Sequence, residues 1–380
     1  MSDVSLRLGK DLLDTLVAIR YSEKVPTNHY PFADRKGVHM KNEPQFPVCA
    51  DCKLAPRREF LKTSLLGSLG MASSLRTLDL LNPLHVSASP MPSVAAPSSE
   101  TLVATFYKSL TDLQKQKVAF EFNHPLQAKV DNNWQITPQK IGEFYTRDQQ
   151  AMIKEIFVGM HNPAYVDKVL AHVQEDGGGL GNYSIAVFGQ PGSGAFEFVL
   201  TGRHCTVRCD GDSVKGAAFG GPIFYGHAAQ SFNEKPDHPG NVYWYQAKRA
   251  NEVFNALYGK QRAAALLGDP REEKGTSTVE LRQKKKEIPG LAVSEMSRDQ
   301  KELVHRVLSD VLLPFRQQDA NEALRYIDKN GGIDNLTMSF YKNMDIGNDG
   351  VWDVWQLESP AMIWYFRGAP HVHVWVNIRA

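Results

Sequence analysis

Val199-Leu200-Thr201-Gly202-Arg203-His204-Cys205-Thr206-Val207 can be laid against Phe366-Arg367-Gly368-Ala369-Pro370-His371-Val372-His373-Val374. With a one-residue gap, His204 falls on His371 and Thr206 on His373. The match predicts a unit present twice, with halves of about 100–245 and 246–380. Together they would close into one α+β body of helix pairs packed on antiparallel sheet. If so, the strands of His204 and His371 lie near one another at the centre of the sheet, and their histidines converge on a common cleft.

Outward from these strands, helix starts repeat as well. Thr111…Gln114, Thr146…Gln149 and Ser297…Gln300 each have the hydroxyl-x-x-glutamine spacing of a capping box. Met152, Ile153, Ile156 and Phe157 follow the second at helical spacing, and Leu303, Val304, Val307 and Leu308 follow the third. A further amphipathic helix is expected over 247–267. Strands are expected at 184–188 and 196–200, joined by a turn at Gln190-Pro191-Gly192-Ser193-Gly194. A second pair is expected at 336–341 and 351–357, around Ile346-Gly347-Asn348-Asp349-Gly350. That segment lacks the alternating acids of a calcium loop and reads as a hairpin turn.

The histidines carry the chemistry. Residues i and i+2 of a strand share a face about 6.5 Å apart at Cα, so His371 and His373 can reach one metal ion. His204 would supply a third nitrogen and leave an open position for water, dioxygen or substrate. Iron, copper or zinc suits such a set. The plainer reading is a pair of half-buried histidines with hydrogen-bond partners. Gly220 to Asn241 is a loop rich in Gly, Pro and Asn, expected to wall the cleft with Tyr225 and His227 at its mouth. Arg203, Tyr225 and Arg367 are the substrate-binding candidates, and His227 is an acid–base candidate. His124, His161, His172 and His305 lie near helices without partners at ligand spacing and read as structural. Glu197, Asp353 and Glu358 are strand carboxylates able to orient a ligand or act as a base.

Composition excludes several classes. Forty-three Lys+Arg against 42 Asp+Glu give a formal net charge of +1, so no basic field is available for nucleic acid. Four cysteines are too few for a disulfide framework, and Cys205 and Cys209, four apart on one strand, are expected as free thiols. Arg57-Arg58-Glu59-Phe60-Leu61-Lys62 resembles a twin-arginine export signal, with Arg57, Arg58, Phe60 and Leu61 as its core. A weakly apolar stretch follows, too short and too rich in Gly and Ser for a permanent anchor. Residues 83–99 are dominated by Pro, Ser and Ala and read as a linker. The expected organisation is an N-terminal extension over 1–55, signal and linker over 56–99, and a mature domain over 100–380. The expected partners are the twin-arginine translocase during export and a small-molecule substrate. The expected place is periplasmic or extracellular.

The mature chain resembles the domain-of-unknown-function family 3500, whose members are commonly exported bacterial proteins. Leu110…Gln114-Lys115 with Trp134, Gly202-Arg203-His204, Phe224-Tyr225-Gly226, Ser297…Gln300, Glu358-Ser359-Pro360 and His371-Val372-His373-Val374-Trp375 carry the resemblance in family order. Family members often have Gly-His-His where this chain has Gly202-Arg203-His204. The resemblance implies a compartment and a fold and names no reaction. It singles out Glu358 among the carboxylates as the catalytic candidate. Two classes of function remain open. One is an exported metal-dependent oxidoreductase or hydrolase. The other is a ligand-binding or structural protein without catalysis. A separation of more than about 10 Å between His204 and the His371/His373 pair would exclude a shared ligand shell.

Overall fold

The computed structural model describes residues 98–228, 241–345 and 349–380. The twin-arginine motif at Arg57, Arg58, Phe60 and Leu61, and most of the loop after Gly220, lie outside the described residues. Helices α1 (Ser99–Ser109), α2 (Asp112–Val118), α3 (Ile141–Phe144), α4 (Arg147–Gly159) and α5 (Val166–Gly177) belong to the first part of the chain. Helices α6 (Tyr245–Ala256), α7 (Gly259–Ala265), α8 (Arg298–Leu312) and α9 (Gln317–Lys329) belong to the second. Strands β1 (Ala119–Phe120), β2 (Ser184–Gly189), β3 (Phe196–Gly202), β4 (Cys205–Cys209) and β5 (Ile223–His227) precede α6. They are followed by β6 (Leu266–Leu267), β7 (Leu291–Ala292), β8 (Thr337–Tyr341), β9 (Val354–Ser359), β10 (Met362–Arg367) and β11 (Val372–Ile378). The class is α+β, as expected. Among the described residues, no helix is long and apolar enough to cross a membrane.

All the described strands join one sheet in the order β1-β2-β3-β4-β5-β11-β10-β9-β8-β6, with β7 against β8. The order reads alike from both edges. A two-residue strand pairs in parallel with the next, and antiparallel strands then run inward to β5 and β11. Helix starts follow the same plan. Thr111/Gln114, Thr146/Gln149 and Ser297/Gln300 form the expected capping boxes.

Two expectations need correction. The single helix over 247–267 is two, α6 and α7. The chain breaks at Leu257, and the Gln261 side chain accepts from Tyr258 N at 3.0 Å to start a new helix. The match that laid His204 on His371 does not carry over to the sheet. Each histidine stands just before the second strand of a hairpin, His204 before β4 and His371 before β11. Counted from each edge, however, β4 takes the place of β10 and β5 that of β11, so the two matched hairpins do not hold equivalent places and their strands are not neighbours.

Both faces of the sheet are covered, which is why its strands read as near-continuous apolar runs. Val372, Val374, Val376 and Ile378 pack under the helices with Trp355, Trp364 and the stripes of α6, α8 and α9. A second cluster packs α1, α4 and α5 on the first half. Trp375 faces the other way, with Phe224, Ile363, Tyr365, Val130 and Val279. Irregular segments around 126–136 and 271–281 close that second face. There the strands carry polar side chains, among them His373, Arg367 and Glu358. The histidines belong to this layer.

Candidate metal centre

Gly202 and Cys205 pair across the β3–β4 turn and leave Arg203 and His204 as its two central residues. His204 takes φ 51°, a left-handed backbone that costs a non-glycine residue about 1 kcal/mol or more. Several bonds hold it there. His204 N donates to Asn132 O at 2.8 Å, and Gly226 N donates to His204 O at 3.1 Å. The turn also needs a glycine: a Cβ on Gly202 would lie 2.0 Å from the Tyr183 ring, whose hydroxyl donates to Arg203 O at 2.7 Å. β5 lies between β4 and β11, and Gly226 is the residue opposite His373. A Cβ on Gly226 would lie 2.4 Å from Val372 O and 3.2 Å from the Phe224 ring, so β5 and β11 approach closely only with glycine there.

His204, His371 and His373 meet there. One ring nitrogen from each lies within 4.8 Å of the others, and all three residues are buried. Ring centroids stand 4.9, 5.0 and 4.7 Å apart. His371 Nε2 and His373 Nε2 are 2.9 Å apart. Two nitrogens bound at about 2.1 Å to one ion and about 90° apart would stand about 3 Å from each other. His204 Nε2 is buried and has no hydrogen-bond partner among the described residues, an unusual condition for a polar atom.

Two carboxylates orient the rings. Asp176, at the end of α5, bonds His204 Nδ1 and takes Arg203 Nε at 2.6 Å on its other oxygen. Glu273 stands 2.7 Å from His373 Nδ1 and takes Arg367 Nε at 2.6 Å. The Arg367 guanidinium also touches His373 Nδ1. We assign the Nδ1 protons of His204 and His373 to Asp176 and Glu273. Nε2 is then the free lone pair on each ring. His373 Nε2 becomes the acceptor for His371, whose Nε2 proton a metal would displace.

The charges favour neutral rings and ionised carboxylates. Burial pushes His204 down, against the pull of Asp176. Burial, reinforced by the Arg367 charge, pushes His373 down to about 3. Burial works against the Asp176 carboxylate, but the imidazoles of His204 and His172 hold it well below the usual range. For Glu273, burial is more than offset by Arg367 and His373, which hold it well below the usual range.

The remaining candidates are placed elsewhere or serve otherwise. Arg203 and Arg367, expected on substrate, hold the two carboxylates. Tyr225 and His227 lie on the helix face of the sheet, opposite His373, so neither stands at a cleft mouth. Tyr225 donates to Gln246 at 2.9 Å, and His227 stacks on His172 at 4.2 Å. Glu358 is not brought to the histidines. It takes Arg271 at 2.8 Å, Arg282 and Gln356, and it pairs through Ile363 with Asn377, four residues along β11 from His373. Glu197 is held by Arg208 at 2.7 Å. Cys205 and Cys209 are buried free thiols.

Asp176, Glu273 and His172 escaped the sequence reading. His172 Nε2 lies 3.5 Å from Asp176, so it belongs to the support of this centre rather than to the helix core alone. Its spacing of four from Asp176 on one helix was the available signal. Glu273 lies in a charged run, Arg271-Glu272-Glu273-Lys274, that gave none.

Among known proteins, residues 94–374 match a family model described as Protein of unknown function (DUF3500). No curated protein and no solved structure gives a significant match.

Proposed function

The chain belongs to the DUF3500 family, and from the histidine geometry we propose that it binds one transition-metal ion through His204, His371 and His373 and acts as a metal-dependent enzyme on a small substrate. The observation that carries the reading is the partnerless Nε2 of His204 beside the paired Nε2 atoms of His371 and His373. Three neutral imidazoles suit iron, copper or zinc. Such an ion would supply either redox chemistry or a bound water made acidic enough to attack. The chain's own residues hold the ligands: Asp176 and Glu273 fix the tautomers, and Arg203 and Arg367 pair with those carboxylates. Metal analysis of the purified protein tests this. We expect about one ion per chain, lost in His371→Ala/His373→Ala and in His204→Gln with the circular dichroism spectrum retained. Absence of metal after incubation with iron, copper and zinc salts overturns it.

Export through the twin-arginine pathway is the companion proposal, supported by Arg57, Arg58, Phe60 and Leu61 in signal order. Changing both arginines to lysine should keep the chain in the cytoplasm; undiminished export would refute the motif.

A further inference from the structure

A surface cleft of about 400 Å³ is lined by Lys129, Asp131, Trp134, Gln135, Lys274 and Thr276 among others. That volume is in the range of small-ligand sites. Its walls are the two segments that hold the histidines from outside the sheet. Asn132 O accepts from His204 N, Asp131 O accepts from Thr206 Oγ1 at 2.9 Å, and Asn133 bridges to Arg203. On the opposite wall, Lys274 follows Glu273, the carboxylate on His373. The walls meet closely: a Cβ on Gly275, itself at φ 52°, would lie 3.1 Å from Asp131.

Two features of this cleft select a ligand. The first is a flat, fixed ring. Trp134 Nε1 donates to Thr206 Oγ1 at 2.9 Å, which fixes the indole, and the residue is only half-buried. A half-open indole face accepts the flat side of a ring. The second is charge. Lys129 and Lys274 are both exposed on the lining. Lys274 also meets Glu272 at 2.7 Å, with both side chains largely in solvent, so that pair is weak and exchangeable.

We propose that the cleft binds a small ring-bearing carboxylate, with its ring on Trp134 and its carboxylate between Lys129 and Lys274. This reading rests on Trp134 and the lysines and does not depend on a bound metal.

The test is intrinsic tryptophan fluorescence of the full-length protein, titrated with benzoate and with glucuronate, and with benzamide and methyl glucoside as uncharged counterparts. At least one acid should saturate the signal, its neutral counterpart should bind at least tenfold more weakly, and Trp134→Phe should abolish the change. Lys129→Gln/Lys274→Gln should weaken the acid at least fivefold, while Lys154→Gln, on the exposed side of α4, should leave it unaltered. Equal binding of acid and neutral compound, or no Trp134-dependent signal with either acid, overturns the proposal. Repeating the titration after chelation separates the two readings. Metal present without acid binding refutes the cleft alone; acid binding unchanged in a protein that takes up no metal refutes the centre alone.

Discussion

At the scale of single residues, the decisive features are the carboxylates behind the histidines. Asp176 bonds His204 Nδ1, receives Arg203 and lies 3.5 Å from His172. Asp176→Asn keeps the shape but loses the charge that makes the bond strong. Arg203, partly exposed, can turn to water, so the fold should survive. Metal affinity should fall by about 10- to 100-fold, the usual effect of removing a ligand's outer partner. Competition with a calibrated chelator measures this, and an affinity equal to that of the unaltered protein would mean that Asp176 does not act on a bound ion. The histidines themselves were legible because i, i+2 spacing on a strand is written in the sequence. Asp176 was not, since the contact with His204 joins the end of a helix to a turn 28 residues away. Glu273 was further out of reach, 100 residues from His373.

At the scale of elements, the signals that could be read were those closed within four residues. The hydroxyl-x-x-Gln starts fixed three helices because each glutamine accepts from its own cap. The tertiary use of the same side chains was hidden. Gln114 and Gln149 donate to one another's side chains, and Gln261 and Gln300 do likewise. Each pair therefore locks two helix starts together. The break between α6 and α7 went unread for a related reason: its start uses Tyr258, whose side chain gives no cap bond. Strand positions were legible from apolar runs, but strand neighbours were not. Two hairpins can carry similar local sequence, and only the sheet order shows that β5 separates β4 from β11. The histidines still converge across β5, whose close approach to β11 needs glycine at 226, where a Cβ would lie 2.4 Å from Val372 O.

At the scale of the whole molecule, the first and second parts of the chain meet along β5 and β11 and along a second seam at Met160–Asn162. There Asn162 N donates to Pro314 O at 2.9 Å, Arg316 N donates to Met160 O at 3.2 Å, and His161 bridges to Phe315. His161 is buried in this seam with Nδ1 2.7 Å from Phe157 O. Burial pushes it down to about 4, against the small upward pull of that carbonyl. The unfolded chain would protonate the same ring near pH 6.5. Between those values the unfolded state binds a proton that the folded state refuses, so stability rises with pH across this window. Conversely, stability should fall as pH drops from about 6.5 to 4, by about 3 kcal/mol in all, at 1.36 kcal/mol per pH unit of displacement. His161→Gln carries no charge at either end. It should be less stable at pH 7.5, through lost packing on Phe157, yet lose less between pH 7 and 4.5. Urea midpoints of both proteins at several pH values give the comparison, and parallel pH profiles would show that the seam tolerates a charged imidazole.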